Sequence, residues 1–421
     1  MRGRLAIAAV AIAVGMAGGA VAACSPDAST HATIVVDAPV SLADQPLHMR
    51  VTGLVPHDRV TVGAQATDYN GKQWHAQAMF TADRHGVVDL DRARPTSGAY
   101  SGVDGMGLFW SMNPPDGDPD QQAYSPRFPD LQPTSGVAIA VTGHGRKLAA
   151  RTLTRQWLAA GVTTKPVTLA ADKVAGQLFL PPAGTARHPA VLVFGGSEGG
   201  ISQTFTAALL ASHGYPTLTI AYFREAGLPE TLRDIPLEYF ASAARLLANQ
   251  PGVDPTHLIV MGYSRGTEAA LLLAQDFPDL IHGAVLYSPT AVIHGGYPDT
   301  SSNAWTLAGA PVPQTMIPVD HISGPVLAIA GADDAVWQSA TAAPLIVRNL
   351  DDAHDRYPHQ ALVYPHAGHN VGTFPYLAQG THTVHPLTGT LISLGGTRPG
   401  SAAAQAQGWP TVLALLASLQ P

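Results

Sequence analysis

The sequence predicts two domains, a β-sandwich followed by a doubly wound α/β domain with a mostly parallel sheet. Three observations carry that expectation. From about residue 161 onward, strand-like runs near residues 190, 216, 257, 284, 325 and 361 alternate with helical stretches. Such alternation implies a parallel sheet with helices on both faces. Residues 32 to about 160 instead show short strand signals separated by turn residues, the pattern of a sandwich of two sheets. Within the second region a serine is pinched between a strand and a helix, with glycines on either side, in Gly262-Tyr263-Ser264-Arg265-Gly266.

The chain opens with a basic stretch, Met1-Arg2-Gly3-Arg4, then an apolar run from Leu5 through Ala17, then small residues. This is the order of a secretory signal. The single cysteine of the chain, Cys24, stands in Val21-Ala22-Ala23-Cys24, which resembles the lipobox of bacterial lipoproteins. Residues 1–23 are therefore expected to be a lipoprotein-type signal peptide. Cys24 would be lipidated, and the mature chain would be exported and held on the outer side of the cytoplasmic membrane. Cleavage after Ala22 with simple secretion is one alternative. An uncleaved anchor is another, since the apolar run is near the ~20 residues that span a bilayer. One cysteine leaves no internal disulfide, so the fold must rest on core packing.

Residues 24–31 read as a polar tether, and the sandwich is expected over 32–160. Leu47, Met49 and Val51 alternate with His48, Arg50 and Thr52, as in a half-buried strand. Asn70-Gly71 marks a hairpin turn. The run Pro114-Pro115-Asp116-Gly117-Asp118-Pro119-Asp120 reads as a solvated loop rather than a metal site. Residues 161–421 form the α/β domain, and residues 238–247 read as a helix that buries one face and carries no chemistry. Among the 421 residues, 46% are hydrophobic and only 13% charged, so a large core is possible. The formal net charge is −7, with no basic run and no aromatic-interleaved patch. Nucleic acid is thereby excluded as an expected partner.

The glycine-flanked serine follows the apolar run His257-Leu258-Ile259-Val260-Met261 and precedes a helical stretch from Thr267. That is the form of the nucleophile elbow of α/β-hydrolases, where a tight turn leaves no room for Cβ atoms. A second match, Gly195-Gly196-Ser197-Glu198-Gly199, follows the earlier strand Ala190-Val191-Leu192-Val193-Phe194. In this fold the oxyanion loop follows an early strand and the nucleophile a later one. Ser264 is therefore the expected nucleophile. The backbone of Gly196, Ser197 and Arg265 is the expected oxyanion hole. The hydrolase order of serine, acid, histidine then selects Asp334 and His369, each placed directly after a separate apolar strand. Asp333 and His366 are the neighbouring candidates of the same type. With 18 histidines in the chain, position rather than residue type decides. Neither a cofactor nor a metal is expected for this chemistry.

The chain resembles the acyl-CoA thioesterase / bile acid-CoA:amino acid N-acyltransferase family over nearly all of its mature length. In the first domain the matching stretches are Pro46-Leu47-His48-Met49-Arg50-Val51-Thr52-Gly53-Leu54 and Met106-Gly107-Leu108-Phe109-Trp110-Ser111-Met112. In the second they are Gly195-Gly196-Ser197-Glu198-Gly199-Gly200, Ala221-Tyr222-Phe223, the Ser264 elbow with Glu268, Asp333-Asp334 and Gly368-His369. The resemblance implies an immunoglobulin-like N-terminal domain joined to an α/β-hydrolase domain, with the triad carried over as Ser264, Asp334 and His369. Amino-acid-conjugating members of the family use cysteine as nucleophile. Serine at 264 therefore implies transfer to water. The run Asn370-Val371-Gly372-Thr373 departs from the more apolar and acidic run of similar members.

The expected function is serine-dependent hydrolysis of an acyl-CoA-like thioester through an acyl-enzyme, with a small-molecule acyl thioester or ester as partner. The first alternative is an ester hydrolase of the dienelactone-hydrolase kind in the cell envelope. The second is a non-catalytic lipid-binding lipoprotein on the same fold, since fold alone does not guarantee activity.

Overall fold

The computed structural model describes residues 31–126, 131–184, 186–372 and 374–420. The expected signal peptide, Cys24 and all of the tether except His31 lie outside the described residues.

The N-terminal region is two packed sheets. Strands Val40–Leu42, Arg59–Thr67, Gln73–Thr81, Ser97–Gly98, Thr134–Gly143 and Arg146–Gln156 form a six-stranded sheet. Strands Thr33–Val36, Met49–Thr52 and Val88–Asp89 form a three-stranded one. Alternate residues of each face inward, and Val51, Val62, Trp74, Phe80, Ile139 and Leu153 join one core. The Leu47, Met49, Val51 alternation is buried as expected, while Arg50 is exposed. The Asn70-Gly71 signal marks the turn of a long hairpin between residues 59–67 and 73–81. There Asp68 accepts the backbone N–H of Asn70 and of Lys72, and Gly71 takes φ +81°.

The second region holds an eight-stranded sheet. Its strands are β1 (Thr163–Val167), β2 (Ala175–Leu180), β3 (His188–Phe194), β4 (Thr217–Ala221), β5 (Val253–Tyr263), β6 (Ala284–Tyr287), β7 (Val326–Gly331) and β8 (His359–Tyr364). Their spatial order is β1-β2-β4-β3-β5-β6-β7-β8. β2 runs antiparallel to both of its neighbours, and the other pairs are parallel. The antiparallel edge was not expected from the βα alternation, because β1 and β2 are joined by a single helical turn, Leu169–Asp172, rather than a crossover helix.

Helices cover both faces. On one lie α2 (Leu237–Ala248), α3 (Gly266–Asp276) and α4 (Ser339–Asp352), packed on Leu192, Phe194, Leu258 and Val260. On the other lie α1 (Thr204–Ser212) and α5 (Arg398–Ser418), packed on Val191, Val193, Ile259 and Met261. Consecutive strand residues thus divide between the two cores, as pleating requires. No helix among the described residues is long and apolar enough to cross a membrane.

This order fixes the place of the site. β3 connects to β4 on one side but pairs with β5 on the other, with Phe194 opposite Gly262. Strand order reverses there, and the crevice at the carboxyl ends of such strands is where α/β sheets bind ligands. The loops after β3 and β5 therefore face each other across one strand spacing.

Candidate active site

Ser264 sits at the tip of the turn between β5 and α3 with φ +55°. That is the strained left-handed conformation of a nucleophile elbow. Its N–H donates to the Tyr287 carbonyl at 2.9 Å, and its carbonyl accepts from the Thr267 hydroxyl at 2.7 Å. The two glycine motifs interlock. A Cβ on Gly266 would lie 2.3 Å from the Gly195 carbonyl oxygen, and one on Gly196 would lie 2.8 Å from Ser264 Cβ. Only glycine permits that approach.

The structure brings Ser264, His369 and Asp334 together in one chain of hydrogen bonds. Ser264 Oγ lies 2.9 Å from His369 Nε2. His369 Nδ1 lies 2.9 Å from Asp334 Oδ2. A carboxylate only accepts, so Nδ1 carries the proton and Nε2 is left as the acceptor for the serine O–H. Asp334 also accepts from the Ser339 hydroxyl at 2.6 Å and from the Val336 N–H at 2.9 Å. Burial raises its pKa, but the bonds from His369, Ser339 and Val336 outweigh burial, and the net value falls below the ordinary 3.8.

His369 is held at its backbone as well. Its N–H donates to the Leu394 carbonyl at 2.7 Å. Its carbonyl accepts from the Ser288 hydroxyl at 2.6 Å and the Tyr263 hydroxyl at 3.1 Å. Its ring packs edge-on against Trp337 at 5.8 Å. The neighbouring candidates lie elsewhere. Asp333 and His366 are exposed and face each other at 3.8 Å.

The oxyanion expectation needs one correction. The Gly196 N–H is already taken, donating to Glu198 Oε2 at 2.9 Å, and Glu198 Oε1 accepts the Ser202 hydroxyl at 2.7 Å. Glu198 folds back to staple its own loop, so Gly196 contributes shape rather than a donor. No acceptor among the described residues takes the N–H of Ser197 or of Arg265, which leaves these two as the available donors. Behind them, the buried Tyr222 hydroxyl donates to the Gly195 and Gly196 carbonyls at 2.9 and 2.8 Å.

The Arg265 side chain turns inward to Glu268, which is fully buried in the first turn of α3. Arg265 Nε lies 2.8 Å from Glu268 Oε1. The same carboxylate accepts from Trp305 Nε1 at 2.7 Å and meets His294 Nδ1 at 2.9 Å. The position was visible in the sequence, but its role in tying the elbow to two distant segments, at His294 and Trp305, was not.

Ser264 and His369 line a cavity of about 380 Å³. Much of its remaining wall escaped sequence reasoning. A short hairpin of His382–Val384 and Leu391–Ser393 contributes His382, Thr383, His385 and Ile392. The N-terminal domain contributes Gln121 and Ala123. The Pro/Asp run read as a solvated loop leads into that wall. Its end winds into a single turn, Pro119–Gln121, and the Tyr124 N–H then donates to the Ala378 carbonyl at 2.8 Å. Asp44 clamps the domains together by accepting from Trp409 Nε1 at 2.6 Å and meeting His213 Nε2 at 2.6 Å. Arg398 adds bonds to Asn113 Oδ1 at 2.7 Å and to the Met112 carbonyl at 2.6 Å.

A mostly parallel sheet with a serine elbow, histidine and aspartate in this chain order is an α/β-hydrolase. The comparisons with known proteins narrow the class. Residues 44–169 match the acyl-CoA thioester hydrolase/BAAT N-terminal region. Residues 235–298 and 290–419 match the BAAT/acyl-CoA thioester hydrolase C-terminal region. The chain is 32% identical to acyl-coenzyme A thioesterase 6 of Mus musculus over 88% of this chain and 92% of that one. It is 30% identical to the peroxisomal succinyl-coenzyme A thioesterase of Mus musculus, with the same coverage. Among solved structures, it is similar to a dienelactone hydrolase-like promiscuous phosphotriesterase from metagenomic libraries. That likeness is 18% identical, covers 62% of this chain and 99% of the other, and has a TM-score of 0.43. The chain belongs to the acyl-CoA thioester hydrolase/BAAT family, and it is an enzyme of the hydrolase class.

Proposed function

We propose that the protein hydrolyses acyl thioesters of the acyl-CoA type through a Ser264 acyl-enzyme. The observation that carries this reading is the unbroken relay from Ser264 Oγ through His369 to Asp334, with both links at 2.9 Å, opening into the cavity. His369 Nε2 takes the serine proton as Oγ attacks the acyl carbonyl. Asp334 holds the tautomer and stabilises the imidazolium. The developing oxyanion is met by the N–H groups of Ser197 and Arg265, each donor worth about 3 kcal/mol in such sites. The thiol departs with the proton from His369, and water releases the acyl group through the same base. The nearly complete burial of Ser264 and His369 suits electrostatic stabilisation, since a dry site strengthens it. A panel of acyl-CoA thioesters and short aryl esters, assayed on wild-type and Ser264→Ala protein, tests this reading. Thioester turnover that vanishes in the variant is expected. Turnover of aryl esters alone would move the protein to the ester-hydrolase reading.

The N-terminal segment adds a proposal about place, supported by the signal-like order of residues 1–23 and by Cys24 as the only cysteine. Two acyl chains on Cys24 would give stable anchoring where one gives marginal binding. Labelled palmitate should enter the wild-type protein and not Cys24→Ser. Wild-type protein recovered from the cytoplasm with Met1 retained would overturn export.

A further inference from the structure

We propose that the Ser197 hydroxyl is a third, side-chain donor to the oxyanion, aimed into the cavity by His385 acting as a fixed N–H donor. The inference rests on Ser264 being the nucleophile.

Ser197 has its own histidine. Its Oγ lies 3.0 Å from His385 Nε2, which resembles the 2.9 Å contact between Ser264 and His369. The far side of the ring distinguishes them. The Leu387 N–H donates to His385 Nδ1 at 3.2 Å. A backbone N–H is only a donor, so Nδ1 is the unprotonated nitrogen and Nε2 carries the hydrogen. His385 therefore donates to Ser197 Oγ and takes no proton from it.

The surroundings keep the ring in that form. His385 is buried, and burial lowers its pKa. Glu198 opposes that shift and Arg224 reinforces it. The His385 N–H donates to the Thr390 carbonyl and its carbonyl accepts the Gly389 N–H, both at 2.8 Å, while Tyr297 packs on the ring at 4.7 Å. Arg224 ties this hairpin to the oxyanion loop, donating to the Glu198 and Pro386 carbonyls at 3.0 Å each.

With one lone pair of Ser197 Oγ filled by His385, the serine keeps its own hydrogen. No acceptor among the described residues takes it. Ser197 lines the same cavity as Ser264, and its backbone N–H already belongs to the expected oxyanion hole. One residue then offers an N–H and an O–H to the same developing charge. No bond beyond those of acyl transfer forms or breaks, and the hydroxyl proton stays on Ser197. His385 is a positioning residue in this scheme, because it acts only through Ser197.

Steady-state kinetics on full-length Ser197→Ala, Ser197→Thr, His385→Ala and the Ser197→Ala/His385→Ala double variant test the inference. Thermal melts and mapping of a fluorophosphonate adduct accompany them. In Ser197→Ala, kcat should fall about 10²-fold, the usual cost of one oxyanion donor, with KM within a few-fold of wild type. Ser197→Thr, which keeps the hydroxyl, should recover most of the loss. His385→Ala should lose less, and the double variant should be no slower than Ser197→Ala alone. An adduct on Ser264 with kcat unimpaired in Ser197→Ala would overturn the inference and leave the nucleophile standing. So would a threonine variant as slow as the alanine one with an unchanged melt. An adduct on Ser197 would overturn both.

Discussion

Two serines in this molecule share a sequence pattern and part of a geometry. Ser264 and Ser197 both follow a buried strand, both sit between glycines, and both touch a histidine Nε2, at 2.9 and 3.0 Å. They differ in what holds the other ring nitrogen. His369 Nδ1 faces the carboxylate of Asp334, which forces Nε2 to accept. His385 Nδ1 faces the N–H of Leu387, which forces Nε2 to donate. The backbone differs in step. Ser264 takes the strained φ of an elbow and Ser197 does not. The histidine Nε2 thus accepts in one serine–histidine contact and donates in the other. The group one bond further out decides which.

Removing each hydroxyl probes that contrast most strongly. Ser264→Ala should lower kcat by at least ~10⁴-fold, as loss of a triad nucleophile does, while the melting temperature changes little. Ser197→Ala should cost about 10²-fold. Steady-state rates on one thioester compare the two directly, and reversed magnitudes would exchange their roles.

Asp334→Asn should cost ~10³- to 10⁴-fold, because an amide no longer enforces the tautomer that leaves Nε2 open. Asp333→Asn, on an exposed side chain, should keep most activity. The same substitution has a signature in stability. The folded pKa of Asp334 is lowered below 3.8, so its ionised form stabilises the fold above about that pH. That contribution is lost as pH falls through the lower folded value. Melting curves of Asp334→Asn should therefore decline less steeply than wild type on acidification below about pH 4.

Glu268→Gln sharpens the comparison from behind the elbow. It leaves the buried Arg265 guanidinium without its carboxylate, and breaking such a pair costs about 3–5 kcal/mol. The melt should drop markedly. In the surviving folded protein, the loss in kcat should be smaller than for any triad variant. The smallest effect is expected at Gln121, which reaches the cavity from the other domain. Gln121→Ala should raise KM a few-fold with kcat nearly unchanged, since it forms cavity wall and belongs to neither serine–histidine pair.

Much of the fold, and the meeting of Ser264, His369 and Asp334, was legible in the sequence because each signal is local. The strands before Ser264, Asp334 and His369 are short apolar runs, and the elbow compresses its steric demand into five residues. The Leu47, Met49, Val51 alternation likewise states which face is buried. What escaped was nonlocal or already spent. Gly196 reads as a donor from sequence position, but the carboxylate of Glu198, two residues on, occupies its N–H. The hairpin that carries His385 has two three-residue strands, too short for a period to show. The Gln121 turn reads as a solvated loop because nothing nearby announces that Ala123 bridges Gln379 across the domain boundary. The edge strands β1 and β2 run antiparallel because only one helical turn joins them, a matter of connection length rather than of strand composition.

The central claim is that the acyl group passes through Ser264. Acid quenching during turnover of a slowly deacylating acyl thioester, followed by peptide mapping by mass spectrometry, tests it most directly. The expected result is the acyl mass on the peptide carrying Ser264, absent from Ser264→Ala and retained in Ser197→Ala. An acyl mass on Ser197, or sustained turnover by Ser264→Ala, would contradict it.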